Sequence, residues 1–466
     1  MDIASSINGV FEALNGVLWG LPMILILMGT HVFMTVRTGF IQRKLLTGIK
    51  LSIKRDPSVQ GDISPFAALA TALAPTIGTG NIVGVGTAIA LGGPGAVFWM
   101  WLTGIFGIAT KYAESYVGVK YRVKTESGNM LGGAMYALER GLKQKWLAIL
   151  FCVFAALASF GIGSMVQANA VATVVEENVG IPAWIIGIAL VILTALATFG
   201  GIKVIARVCE RLVPFMAIIY VAGCLVILGI NWNFILPALG TIVQAAFMPQ
   251  SAFGGFVGST IAAAARFGVA RGIFSNESGL GSAPLAAAAA RSTNPARQAL
   301  ISMTGTFWDT VIICALTGLV LVSTILAHPE LAGEFTGGNG AILTTTAFAQ
   351  IPFIGVPLLV FGMITFAYTT ILGWSYYGDR CIDYLFGKKA LIPYRVIYCV
   401  TIFLGTLGTI SLVWNMADTF NALMALPNLI AVLGLSALIA RETKHFVYED
   451  NLDEAADQDL PVAAGK

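Results

Sequence analysis

Two stretches of this 466-residue chain place glycine, amide and hydroxyl side chains together inside otherwise apolar sequence. The first reads Ala74-Pro75-Thr76-Ile77-Gly78-Thr79-Gly80-Asn81-Ile82-Val83-Gly84. The second reads Gly272-Ile273-Phe274-Ser275-Asn276-Glu277-Ser278-Gly279-Leu280-Gly281-Ser282. Pro75 removes a helix donor, and the glycines let the backbone leave helical geometry at low steric cost. A helix that unwinds in hydrocarbon exposes amides and carbonyls that are costly unless satisfied, so irregular backbone persists where it lines a cavity or binds a ligand. Amides freed at the start of the half-helix after Gly80 carry the positive end of the helix dipole and can hold a carboxylate. Carbonyls freed before it are hard oxygen ligands for a cation such as sodium. A small zwitterion and a cation would meet both needs. The alternative is that these glycines only let helices pack closely. Two such stretches, each with an Asn and several hydroxyls, weigh against it.

Ionisable residues inside apolar runs are the next candidates, because burying them in a membrane is costly. Arg271 and Glu277, six residues apart, could form part of an outer gate or occupy a wet vestibule. Asp309 and Glu114 face the inner half, where each either locks helices by pairing with a cationic or amide group or carries a proton. Catalytic residues are not expected: no nucleophile stands with a plausible base, and His31, His328 and His445 match no zinc pattern. The six cysteines lack CxxC spacing and read as small core hydrophobes. No GxxxxGK[ST] motif occurs, so a primary pump would need a partner subunit.

The elements that position these residues follow from composition. The chain is 57% hydrophobic and 11% charged, against roughly 25% charged in soluble domains, which excludes a soluble fold. A net charge of +3 gives nucleic-acid binding no support. Apolar runs start at about residues 17, 65, 95, 147, 182, 212, 257, 298, 353, 392 and 414, giving about eleven transmembrane helices in an all-α integral membrane protein. The first run, with no Lys or Arg before it, reads as an uncleaved span. Of the 27 Lys and Arg, 25 fall in alternate loops or the tail, the exceptions being Arg266 and Arg271. The positive-inside rule then sets the N-terminus outside and the C-terminus in the cytoplasm. An N-terminal helix and basic loop (1–60) precede two five-helix sets (61–250 and 251–445). An acidic cytoplasmic tail (446–466) is expected to be solvated and disordered. Because five is odd, the second set enters the membrane from the opposite side. The two interrupted helices open the two sets, as in an inverted-repeat transporter.

The run Gly92-Gly93-Pro94-Gly95-Ala96-Val97-Phe98-Trp99-Met100-Trp101 follows the first interruption, and Thr369-Thr370 and Gly373-Trp374 lie downstream. With the Ser275–Ser282 stretch, these resemble the alanine or glycine:cation symporter family over residues 10–445. The resemblance implies the five-plus-five fold of the bacterial leucine transporter, a plasma (inner) membrane location, sodium or sometimes proton coupling, and small amino acids as substrates. It implies sodium as the coupling ion with no other cofactor, and a chain surrounded by lipid. Position by position, it implies a substrate carboxylate near Gly78, Thr79 and Gly80, with Asn81 and Gln167 as partners. Gln167 could instead be a packing hydrogen bond between helices. Phe274 and Trp374 would wall the pocket against bulky side chains. Sodium would lie among Ala74, Ile77, Phe366, Thr369 and Thr370, with Thr370 serving substrate, cation or both. The function expected is sodium-coupled uptake of alanine or glycine by alternating access, without enzymatic activity. The rivals are a proton-coupled carrier and a passive channel.

Overall fold

The computed structural model describes residues 3–54, 62–125, 129–248, 260–292, 294–330, 340–408, 410–455 and 460–462. Helices dominate, and the one strand pair among the described residues joins Val123–Lys124 to Met130–Leu131. Each apolar run contains a helix. Among the described residues, six helices are long and apolar enough to cross a membrane individually, or up to eight when two bent pairs each count as one span. The surface and interior are inverted relative to a soluble protein. Leu196, Ile218 and Ile392 stand outward and exposed, whereas Lys111, Glu114, Asn81, Gln167 and Asp309 are buried. An apolar exterior, with charged and amide groups held inside among apolar side chains, is what a lipid solvent selects, so this is an all-α, multi-pass membrane protein.

The helices fall into two groups. In the first, Ile261–Asn276 and Pro295–Thr306 both pack along Gly95–Lys120, and Val85–Gly92 packs against Ile261–Asn276. In the second, Ala183–Phe199 packs on Leu391–Leu407, and Lys145–Ala158 and Val166–Val179 pack on Gly355–Phe386. The two groups meet where Gly355–Phe386 crosses Pro65–Thr76. Gly373 makes this crossing close, since a Cβ there would lie 2.5 Å from the Pro75 ring.

Both stretches singled out in the sequence are breaks. The Pro65–Thr76 and Gly80–Gly92 helices meet at a 50° bend. Ile261–Asn276 ends at Glu277, whose φ of 55° is left-handed, and the chain stays irregular through Gly279 and Gly281 (φ 93° and 78°) before Ala283–Ala287. Such angles suit glycine and strain any other residue.

The tail departs from expectation. Tyr448 donates its hydroxyl to Thr38 O and Gly39 O, and Asp453 pairs with Arg297. The Asn294 amide donates to Leu452 O at 2.8 Å and Glu454 O at 3.0 Å, and Lys124 N–H reaches Pro461 O at 3.0 Å. Residues 444–455 and 460–462 are therefore docked across one end of the first group, because backbone carbonyls, which composition does not reveal, meet waiting donors. Asp457 and Asp459 lie outside the described residues.

Candidate functional site

The first break is built around two freed amides. Ile77 turns the chain out of the helix (φ −77°, ψ 83°), and Gly78 and Thr79 follow before a π-helical turn at Gly80–Gly84. Gly78 N–H donates to Asn81 Oδ1 at 2.8 Å. Thr79 N–H donates to Gln167 Oε1 at 3.3 Å. Gln167 is aimed by its own Nε2, which donates to Ile162 O at 2.9 Å within a second π-helical stretch, Ser159–Met165. Two neutral side-chain carbonyls thus cap amides for which a carboxylate is the stronger acceptor. The Thr79 hydroxyl, buried beside them, has no hydrogen-bond partner among the described residues.

On the side facing Gly355–Phe386, carbonyls and hydroxyls converge. Thr370 Oγ1 lies 3.1 Å from Ala74 O and 2.9 Å from Phe366 O. Gly78 must stay small here, because a Cβ would sit 2.4 Å from that hydroxyl. Thr369 also reaches Phe366 O, at 3.0 Å, but leans toward Met216 Sδ at 3.6 Å. Ile77 closes the same half-helix three residues after Ala74. Trp374 is wholly buried against Gly163, edge-on to Tyr377, and its indole N–H has no partner among the described residues.

Asp309 joins the two breaks. Its carboxylate accepts Asn81 Nδ2 at 2.7 Å, the Ser275 hydroxyl at 3.0 Å to each oxygen, and the Thr310 hydroxyl at 2.6 Å. Cys314 Sγ lies 3.3 Å from Asn81 Nδ2 and 3.2 Å from Ser275 Oγ. The carboxylate is fully buried, and these donors are all neutral. Asn81 therefore serves both places at once, its oxygen on the Gly78 amide and its nitrogen on Asp309.

Above this lies an aromatic and ionic layer. Phe274 approaches Gly80 closely, a Cβ there being 3.2 Å from its ring, and stacks on Trp414 with centroids 4.8 Å apart. The Arg271 guanidinium lies 4.7 Å from the Trp414 centroid. It donates to both oxygens of Asp418 at 2.9 and 2.6 Å, the fork geometry that makes arginine–carboxylate pairs strong. Arg271 and Trp414 also line a cavity of about 790 Å³ shared with Thr87, Asn169, Ser411 and Asn415. The layer thus separates this cavity from Gly80 and Ser275.

Arg271 and Glu277 do not pair with each other. Arg271 takes Asp418, whereas Glu277 is buried and accepts the Ser282 hydroxyl at 2.6 Å. Asp418, Trp414, Ser275 and Cys314 are site residues that the sequence reading did not select. Asp418 carried a usable signal, as a carboxylate inside an apolar run four residues after a tryptophan.

Comparison with known proteins places this geometry. A family model described as the sodium:alanine symporter family matches residues 4–460. The sodium/alanine symporter AgcS of Methanococcus maripaludis is 48% identical, over 96% of this chain and 98% of its own. A putative sodium/proton-dependent alanine carrier, YrbD of Bacillus subtilis, is 35% identical over 97% and 95%. Among solved structures, MhsT in complex with L-phenylalanine superposes with a TM-score of 0.55 at 13% identity, covering 82% of this chain and 98% of that one. That likeness is one of fold, of the leucine-transporter type. On a match that runs nearly end to end, the chain belongs to the sodium:alanine symporter family.

Proposed function

We propose that this carrier couples inward sodium flow to uptake of small neutral amino acids, alanine and glycine, by alternating access at the two breaks. The family is one of symporters, so the chain is a transporter and not an enzyme. The observation that carries the reading is the capping of the Gly78 and Thr79 amides by Asn81 and Gln167. In this mechanism the substrate carboxylate displaces those two oxygens and takes the amides, with Gly80 at the start of the outer half-helix. Phe274 and Trp374 bound the side-chain space.

Two groups of oxygens suit sodium. One is Ala74, Ile77 and Phe366 carbonyls with the Thr369 and Thr370 hydroxyls, where Thr370 already brings two helices to one point. The other is the Asp309 carboxylate with the Ser275 hydroxyl and, once the amide turns its oxygen from Gly78 N–H toward Asp309, Asn81 Oδ1, so that it draws on both breaks. A cation there engages Asn81 Oδ1 and so releases the Gly78 N–H for substrate. Loading both breaks then allows one helix group to rock against the other, while Phe274, Trp414, Arg271 and Asp418 close the outer side. Each net positive charge moved inward gains about 2.3 kcal/mol per 100 mV, more than the about 1.4 kcal/mol that a tenfold gradient costs.

The same reading takes the chain through the plasma (inner) membrane eleven times, N-terminus outside and C-terminus inside, with the two five-helix sets inverted. Uptake of radiolabelled alanine into proteoliposomes under a sodium gradient, a proton gradient or neither tests it. Accumulation driven by sodium is expected. Accumulation driven only by protons would move the coupling ion to an acid such as Asp309 or Glu277, and none under any gradient would remove the substrate assignment.

A further inference from the structure

The second break has its own freed amides, and a carboxylate of the chain already sits on them. Glu114 Oε2, from the Gly95–Lys120 helix, accepts Gly279 N–H at 3.1 Å, Gly281 N–H at 3.2 Å and the Asn428 amide at 2.9 Å. Its other oxygen, Oε1, lies 3.3 Å from the Lys111 ammonium one helical turn away. Asn428 also donates to Gly279 O at 2.9 Å, so a third helix is tied to the same point. Glu114 is 0% and Lys111 2% exposed. Three N–H donors on one carboxylate oxygen and an ammonium beside the other are the partners that a bound anion takes. The left-handed angles of Gly279 and Gly281 turn both amides to the same side.

We propose that Glu114 is a tethered anion, a positioning residue that fills at the second break the kind of seat the substrate carboxylate takes at the first. It fixes the irregular segment Glu277–Ser282 as a joint. The Phe274 and Ser275 side chains, which reach Gly80 and Asp309, hang from the helix end that this joint holds. The carrier consequently has one carboxylate seat for substrate rather than two. Lys111 supplies the counter-charge, so the seat keeps its preference for an anion when the tether is cut. The site for which Glu114 is shaped is that of a small carboxylate such as formate. The inference rests on the symport reading only for its transport readout.

The test is chemical rescue of the full-length Glu114→Ala carrier. Sodium-driven alanine uptake and thermal unfolding are measured in gluconate, formate and chloride media, beside the wild type, Glu114→Gln and Glu114→Asp. Truncation leaves two buried amides without an acceptor, and uptake in gluconate is expected to fall about tenfold or more. Formate is expected to restore it several-fold and to raise the unfolding temperature, with no effect on the wild type. Glu114→Gln, which fills the space with a neutral group, is expected to be slow in every medium, and Glu114→Asp to recover in part. Chloride rescue equal to that by formate would also support an anion seat, one that selects charge alone. Formate-insensitive uptake and unfolding of Glu114→Ala, or wild-type uptake by Glu114→Gln, would overturn the proposal. Unfolding can be read even where the variant transports poorly. If the wild type itself fails to accumulate alanine, the symport reading falls, and the anion dependence of unfolding still decides the role of Glu114.

Discussion

Adding one methyl group at Gly78 separates the packing of the first break from its chemistry. The new Cβ would stand 2.4 Å from Thr370 Oγ1, whereas ordinary contact begins at 3.4 Å, so the overlap is 3.4 − 2.4 = 1.0 Å. Thr370 is fully buried and held between Ala74 O and Phe366 O. It must rotate or the helices must part. Overpacking of this kind costs about 1–3 kcal/mol, to be read as a lower unfolding temperature of Gly78→Ala in detergent. Rotation also takes the hydroxyl out of the proposed cation ligands. One lost ligand of about 1–3 kcal/mol raises the sodium concentration for half-maximal uptake by about 5- to 150-fold. The double variant Gly78→Ala with Thr370→Ala removes the clashing atom and leaves the nearest neighbours at 3.4 Å. It is expected to recover most of the stability and none of the sodium affinity. Wild-type sodium activation in the double variant would refute the assignment of Thr370 as a cation ligand.

Three further outcomes follow from the geometry. Asp418→Asn removes the charge opposite Arg271 while keeping the shape, and breaking a buried pair costs several kcal/mol; dissociation of bound alanine toward the outside should quicken about tenfold or more, and an unchanged rate would take Arg271 and Asp418 out of the gate. Phe274→Ala opens space beside Gly80, and competition assays should then detect larger neutral amino acids that the wild type ignores; undiminished selectivity would assign the size limit elsewhere. Asp453→Asn weakens the pair with Arg297 at its 85% exposed end, so stability should change by less than about 1 kcal/mol, while limited proteolysis should cut the C-terminal segment sooner than in the wild type.

What the sequence could disclose was whatever the backbone itself demands. Pro75 and the clustered glycines had to interrupt helices, and the hydroxyl pair Thr369-Thr370 had to lie within a span because no charge interrupts it. The importance of Gly373 was readable only as part of a family pattern. Its cause, the Pro75 ring on a helix nearly 300 residues away in sequence, belongs to packing. Partners were the least legible feature. Arg271 has Glu277 nearby in sequence, but the helix ends between them and a left-handed Glu277 sends the two side chains to different places, and Asp418 lies 147 residues on. Asp309 and Asn81, 228 residues apart, meet because the π-helical turn Phe307–Cys314, on a third helix, packs against Gly80–Gly84 at the first break. The acidic tail misled for a related reason. Net charge predicts solvation, and the carboxylate of Asp453 is indeed 85% exposed, but the expected disorder does not follow, because Asn294 holds the tail by its backbone carbonyls.

In the proposed mechanism, coupling between sodium and substrate reduces to one side chain with two ends. Asn81 gives Oδ1 to the Gly78 amide and Nδ2 to Asp309, so a cation that recruits its oxygen uncovers the amide that the substrate needs. The linkage is reciprocal: substrate on the Gly78 amide frees the same oxygen for sodium, and each ligand raises the affinity of the other by one common factor. Such factors usually lie between about 5 and 150. Asn81→Ala deletes both ends together. Alanine binding to this variant should be weak and nearly independent of sodium, and sodium binding equally blind to alanine, as equilibrium binding to the purified protein would show. If sodium still raises alanine affinity by the wild-type factor in Asn81→Ala, coupling runs through other groups, and Thr370, which touches the backbone of the first break from the opposite side, becomes the place to look.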